Sequence, residues 1–400
     1  MLKNVMIMFM NILFIDDNYQ MEIKNNMDYD DRKLKDIIDG IEALGHIVDV
    51  LKPNFLLKQI YKKQKFFTDG IYDQNYRVIF NYNFLTPMLL AVKDKIINDV
   101  ELEKYDVIVA TSFFGIMFAE KLKRISLKPV VYILNEFEYK LLAFFFKFLP
   151  FAYRLKNAYR YSRLIACSSS VIIKKIKKQN PQMRNKLFFS YPCISRDLII
   201  SRDIMLEKLK NFNEKKQVSI VTSYNIQTGF DLTNILKSVE RLDLVNWELK
   251  ILYKDFINPK VETLCDKLGI LEKVQFVKIE NDFDIDNIFE EANLFISSNR
   301  SKDFIVLYLK AMAKGVIPLC YKDTGADGVI INGTNGFIVS DYKKNFSSLL
   351  NYICTLDYDV LVKIVSNIHK TIYKYTIERH VLNFTDKLYK IIDIENQKKC

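Results

Sequence analysis

Three cations, Arg300, Lys302 and Lys310, stand directly upstream of the densest glycine cluster in the chain. Gly315, Gly325, Gly328, Gly333 and Gly336 are five of only 11 glycines in 400 residues. Glycine this scarce is expected where the backbone must turn tightly or come close to a ligand. Cations and bare peptide N–H groups together suit one kind of chemistry. They hold a phosphorylated group and stabilise the negative charge that develops on it as a bond breaks. Lys302 and Lys310 lie about 80° apart around a helix, so both can address one cleft, and a helix start near Asp303 adds its amide dipole. Gly325 and Ala326 are small enough to let the backbone there reach a bound group.

Positioning such residues requires strands that end at the ligand and helices that begin there. The apolar run Leu294–Ile296 predicts a buried strand, a helix-period segment follows until Gly315 stops it, and Val316–Tyr321 predicts the next strand. Upstream, the alternation repeats: strand Val218–Thr222, helix Asp231–Arg241, strand Glu248–Tyr253, helix Lys260–Leu268, strand Val274–Lys278 and helix Ile285–Ala292. The front half carries strands at Ile12–Ile15, His46–Leu51, Tyr105–Ala110, Val130–Leu134, Leu164–Cys167 and Lys186–Phe189. A helix over Arg32–Leu44 has Leu34, Ile37, Ile38, Ile41 and Leu44 on one face. Strands alternating with helices imply parallel, doubly wound α/β sheets. Length and pattern divide the chain into an N-terminal domain over 10–195, a linker over 196–217, a C-terminal domain over 218–375 and a terminal helix over 376–400 that crosses back to the first domain.

The stretch from Ala292 to Val339 resembles the carboxyl-terminal signature of GT-B glycosyltransferases, in particular the retaining family four (glycosyl transferases group 1). The resemblance rests on Ser298 and Phe304, on Ala311, Met312 and Ala313 with Gly315 and Pro318, and on Asn335, Gly336 and Phe337. It implies two Rossmann-like domains facing a central cleft, a nucleotide-sugar donor bound on the C-terminal side, retention at the anomeric carbon, and no cofactor or metal. Carried over position by position, the donor site comprises Ser223, Thr228, Gly229, Arg300, Lys302, Phe304, Ile305, Lys310 and Gly325. Asn135, with Glu136 beside it, takes the place of a histidine that contacts the sugar; a carboxylate there suits deprotonation of an acceptor hydroxyl. His46 matches a strand start that serves packing.

Several positions depart from the family. Ser223 and Thr228 replace the arginine and lysine of the phosphate loop, Lys302 and Lys310 replace two glutamates, and residues 16–31 contain no glycine. Lys310 carries donors only, so it cannot accept hydrogen bonds from a ribose as a glutamate does. Two readings follow: Arg300, Lys302 and Lys310 restore the missing positive charge, or the chain is a catalytically silent partner that binds a glycan or an active transferase. Away from the donor, Lys302 and Lys310 are simply solvated helix lysines.

Composition narrows the class. Half the residues are hydrophobic and 27% are charged, which excludes disorder, and the net charge is +11. Nucleic acid is disfavoured as a partner because no zinc finger, RNP motif or basic tail is present. Six scattered cysteines without a C-x-x-C pair indicate free thiols in a reducing cytoplasm, and three histidines exclude a histidine-rich metal site. No D-x-D motif falls in a plausible loop. The apolar residues 1–9 read as an extended leader to the first strand, not a signal peptide. Tyr139–Arg163 is aromatic and basic without an acid; Lys140, Lys147 and Arg154 recur every seven residues on one helical face. This suggests an anionic membrane contact on the cytoplasmic side and a lipid-linked or glycan acceptor.

Overall fold

A computed structural model describes residues 9–15, 29–54, 77–83, 101–111, 115, 116, 119, 123, 126–134, 159–167, 170–190, 192–215, 217–224, 232–243, 246–253, 256–280, 282–297, 303–322, 324–339 and 346–397. The chain divides into two compact units, 1–191 with 380–400, and 192–379.

The first unit is built on β1 (Asn11–Ile15), α1 (Tyr29–Ala43), β2 (Ile47–Asn54), β3 (Arg77–Asn83), β4 (Val107–Ala110), β5 (Val130–Leu134), β6 (Leu164–Cys167), α2 (Ser170–Gln179) and β7 (Leu187–Phe189). Its seven strands are parallel, in the order β3-β2-β1-β4-β5-β6-β7. β4 and β6 are buried at every residue. Continuous apolar runs, not alternating ones, are what a parallel sheet covered on both faces requires. Ile172, Ile176 and Met183 pack under β5 and β6 with Tyr132 and Tyr159.

The second unit comprises α3 (Arg202–Lys215), β8 (Gln217–Tyr224), α4 (Thr233–Glu240), β9 (Asn246–Tyr253), α5 (Pro259–Lys267), β10 (Val274–Lys278), α6 (Asp282–Glu291), β11 (Leu294–Ser297), α7 (Asp303–Ala313), β12 (Ile317–Tyr321), β13 (Phe337–Val339), α8 (Ser347–Cys354) and α9 (Tyr358–Ile372). Its parallel sheet has the order β10-β9-β8-β11-β12-β13. Both sheets are doubly wound, as the strand–helix alternation predicts. A ladder of rings, Phe289 to Phe295 at 5.2 Å and Phe295 to Tyr308 at 4.9 Å, fastens α6 and α7 to β11.

Two elements differ from the sequence reading. The stretch 196–217 is not a linker: it contains α3 and belongs to the second unit. Met205, Leu209 and Phe212, spaced for one helical face, are buried there among polar neighbours that masked the pattern. β3 is a strand the sequence reading did not contain. The last helix, α10 (Ile377–Gln397), starts in the second unit and runs into the first. In the first unit it is held by Tyr389 on His46 and by Glu395 on Arg163.

His46 is a packing residue, as the sequence suggests. It is buried, receives the Met10 amide on Nδ1 at 3.4 Å, meets the Tyr389 hydroxyl at 3.3 Å, and burial lowers its pKa. The five cysteines among the described residues are free thiols. Among those residues no helix is long and apolar enough to cross a membrane, and no three His, Cys, Asp or Glu side chains gather to hold a metal.

Candidate functional site

In an open parallel sheet, ligands sit beyond the carboxyl ends of the strands where the winding direction reverses. In the second unit the chain leaves β8 outward to β9 and β10, then returns to β11 on the other side of β8. The reversal lies between β8 and β11. Thr222 pairs with Ile296 across it, and Ser297 with Cys320 on the next strand, so Thr222, Ser223, Ser297 and Tyr321 share one edge.

Two hydroxyls at this edge are unusual. Thr222 is fully buried and Ser223 half-buried, yet neither Thr222 Oγ1 nor Ser223 Oγ has a hydrogen-bond partner among the described residues. Buried polar groups are nearly always paired, and leaving one unmade costs about 1–3 kcal/mol. Such hydroxyls retain an unused donor each, and phosphate oxygens are acceptors.

Next to them, α7 begins at Asp303. The first amides of a helix, here those of Phe304 and Ile305, have no partner within it, and the helix dipole favours an anion at that end. The Ile305 side chain itself is buried in the core. The Tyr308 hydroxyl fixes the helix by donating to Ser297 O at 3.0 Å and Leu319 O at 3.1 Å. Beyond β12, Thr324 Oγ1 donates to Tyr321 O at 2.8 Å and Gly325 turns the chain with φ +88°. That left-handed conformation is why glycine stands there.

The other glycines have mechanical duties. Gly315 ends α7 with φ +71°, and a Cβ on it would lie 2.8 Å from Met205 Cγ of α3. A Cβ on Gly336 would lie 2.7 Å from Pro318 O. Asn335, fully buried, accepts from Ile331 N at 2.6 Å and donates to Val329 O and Thr371 Oγ1.

Lys310 is not a solvated helix lysine. It is 6% exposed, and its Nζ lies 3.3 Å from Asp286 Oδ1 and 3.5 Å from Oδ2, across from α7 to α6. Asp286 is the partner that sequence reasoning missed, because it lies 24 residues upstream on another helix. Thr222 was missed too: one threonine in a strand carries no signal until its burial is known. Of the predicted site residues, the structure brings Ser223, Gly325 and the α7 amides to the same edge. Asn135, Glu136, Thr228, Gly229, Arg300 and Lys302 lie outside the described residues, as do Lys140, Lys147 and Arg154.

Residues 202–370 match the family model described as glycosyl transferases group 1. A Methanocaldococcus jannaschii protein described as an uncharacterized glycosyltransferase is 23% identical over 373 residues, spanning 89% of this chain and 93% of that one. Among solved structures, a glycosyltransferase from Rickettsia africae superposes with a TM-score of 0.65 at 14% identity, covering 96% of this chain and 99% of its own. HepE of Anabaena, solved with UDP and glucose, superposes with a TM-score of 0.63 at 15% identity, covering 95% and 100%. The two doubly wound units and the superposition on solved structures lead to one conclusion: the chain has the GT-B fold, and its residues 202–370 resemble the group 1 glycosyl transferases.

Proposed function

We propose that the chain moves a sugar from a nucleotide-sugar donor to a glycan or lipid-linked acceptor, with retention and without a metal. The observation that carries this is the pair of orphaned hydroxyls, Thr222 and Ser223, beside the amino terminus of α7. They would donate to the diphosphate, with the α7 amides and the turn at Gly325 completing the cradle and Arg300 and Lys302 adding charge. In the transfer, the bond from the anomeric carbon to the diphosphate oxygen breaks and its electron pair stays on that oxygen. The acceptor oxygen bonds to the same face of the sugar, and its proton passes to Glu136, with Asn135 orienting the sugar. Donors aimed at the departing phosphate act where negative charge grows, which is where they lower the barrier most. Neutral donors stabilise that charge less than a guanidinium and an ammonium would, so slow turnover is expected.

A second reading is a silent transferase that binds a donor or glycan without turnover. What favours it is Lys310: buried on Asp286, it offers a ribose no acceptor at a position where the resembling family has a carboxylate. Calorimetry of the full chain against a panel of nucleotide sugars, followed by sugar release from any donor that binds, separates the two. Binding with turnover supports the transferase, binding alone supports the silent partner, and no binding to any donor rejects the transferase.

A further inference from the structure

The charge of this chain is concentrated in one place. Between Glu138 and Asp197 there is no Asp or Glu, against 13 Lys and Arg, so this stretch alone exceeds the net charge of +11. The fold gathers its described part into a corner of the first unit. Because β5, β6 and β7 are parallel, their amino-terminal ends share one edge. The connecting helix α2 must return to that edge, and it arrives with Lys177 and Lys178 exposed in its last turn. The turn Pro181–Lys186 then adds Arg184 and Lys186, while Arg160 and Arg163 lead into β6.

These cations crowd one another. Lys186 Nζ donates to Arg160 O at 2.7 Å, and its pKa is lowered by burial and then by Arg163 and Arg160. Glu395 of α10 reaches the corner and pairs with Arg163 at 2.5 Å. Toward β5, Lys123 donates to Tyr161 O at 2.6 Å and Lys128 to Glu103 O at 3.1 Å; Glu101, Glu103 and Asp106, before β4, bound the patch on that side.

Apolar groups stand among the cations. Leu127, 67% exposed, projects from a backbone with φ +56°, a conformation that a bulky residue seldom holds. Tyr161 is 38% exposed and Ile394, beside Glu395, 51%.

We propose that this corner is a docking surface for an anionic lipid bilayer. Cations face the headgroups and Leu127, Tyr161 and Ile394 enter the boundary with the acyl chains. A nucleic acid would use the cations but gain nothing from exposed Leu and Ile, so the mixed surface favours lipid. The proposal does not depend on the donor reading.

The test is sedimentation of the full chain with neutral phosphatidylcholine vesicles and with vesicles containing phosphatidylglycerol. Wild type pellets with the anionic vesicles and stays in solution with the neutral ones. Each cation near such a surface changes partitioning about fivefold, so Lys177→Gln/Lys178→Gln/Arg184→Gln lowers it on the order of a hundredfold. Leu127→Asn, which suits the left-handed backbone, lowers it several-fold. Lys237→Gln/Lys260→Gln/Lys267→Gln, equally exposed on the second unit, leaves it unchanged. The proposal is overturned if wild type stays in solution, if the first triple variant pellets like wild type, or if the second loses as much. Retention on DNA with a steep salt dependence and no vesicle binding reassigns the corner to nucleic acid.

Discussion

Replacing Lys310 with methionine tests what this lysine does. The change keeps the apolar stem and removes the ammonium from beside Asp286, whose side chain is only 13% exposed. Removing one member of a buried ion pair costs about 3–5 kcal/mol, because the remaining charge has left water without its partner. The separations here, 3.3 and 3.5 Å, are longer than the best charge-assisted bonds, which argues for the lower end of that range, about 3 kcal/mol. For a folding unit of this size the apparent Tm should fall by roughly 5–10 °C at pH 7 in scanning calorimetry. Removing both charges, in Asp286→Leu/Lys310→Met, should return stability to within about 1 kcal/mol of wild type or above it. Lys310→Glu should be worse than Met, since two carboxylates at that distance force one to take up a proton. A glutamate at 310 therefore does not by itself rebuild a ribose acceptor; Asp286→Lys has to accompany it. A Tm within about 2 °C of wild type for Lys310→Met refutes the reasoning, because the ammonium would then be solvated.

Gly315→Ala should destabilise the second unit by about 1–3 kcal/mol in urea unfolding, since its φ of +71° and the Met205 contact at 2.8 Å both oppose a Cβ. Adding Met205→Ala should relieve the contact but not the backbone strain, so no net recovery of the φ component is expected. Lys208 caps the ends of α6 and α7 by donating to Phe289 O at 2.7 Å and Lys314 O at 3.0 Å, and burial pulls its pKa down to about 7 against the upward pull of Glu290 and Glu291. Between pH 7 and about 10 the unfolded chain then binds more protons than the folded one, so stability should rise with pH in that window. From pH 7.5 to 9.5 wild type should gain about 1–2 kcal/mol more than Lys208→Met does; equal gains would show that Lys208 titrates normally.

Much of the fold was legible because continuous apolar runs are hard to misread. The strands at Val130–Leu134, Leu164–Cys167 and Val274–Lys278 begin and end where the sequence indicates. α3 was hidden because its three core residues are spread through a polar stretch, and β3 because no period marks it off from the residues around it. The members of the glycine cluster divide the labour: Gly325 turns the chain after β12, while Gly315 and Gly336 let neighbours pack. The chemistry of Thr222 and Lys310 was illegible for a common reason. Each depends on what a side chain meets after folding, and neither an absent partner nor one on another helix leaves a trace in spacing.

The account turns on whether two buried hydroxyls await a diphosphate. Titration of wild type and of Thr222→Val/Ser223→Ala with nucleoside diphosphates and nucleotide sugars measures this directly. Wild type should bind at least one of them, and the double variant should bind it about 10–100-fold more weakly while unfolding at the same temperature or higher, since hydroxyls without partners contribute nothing to the unliganded fold. Equal affinity in both proteins, or a loss of stability in the variant, would contradict it.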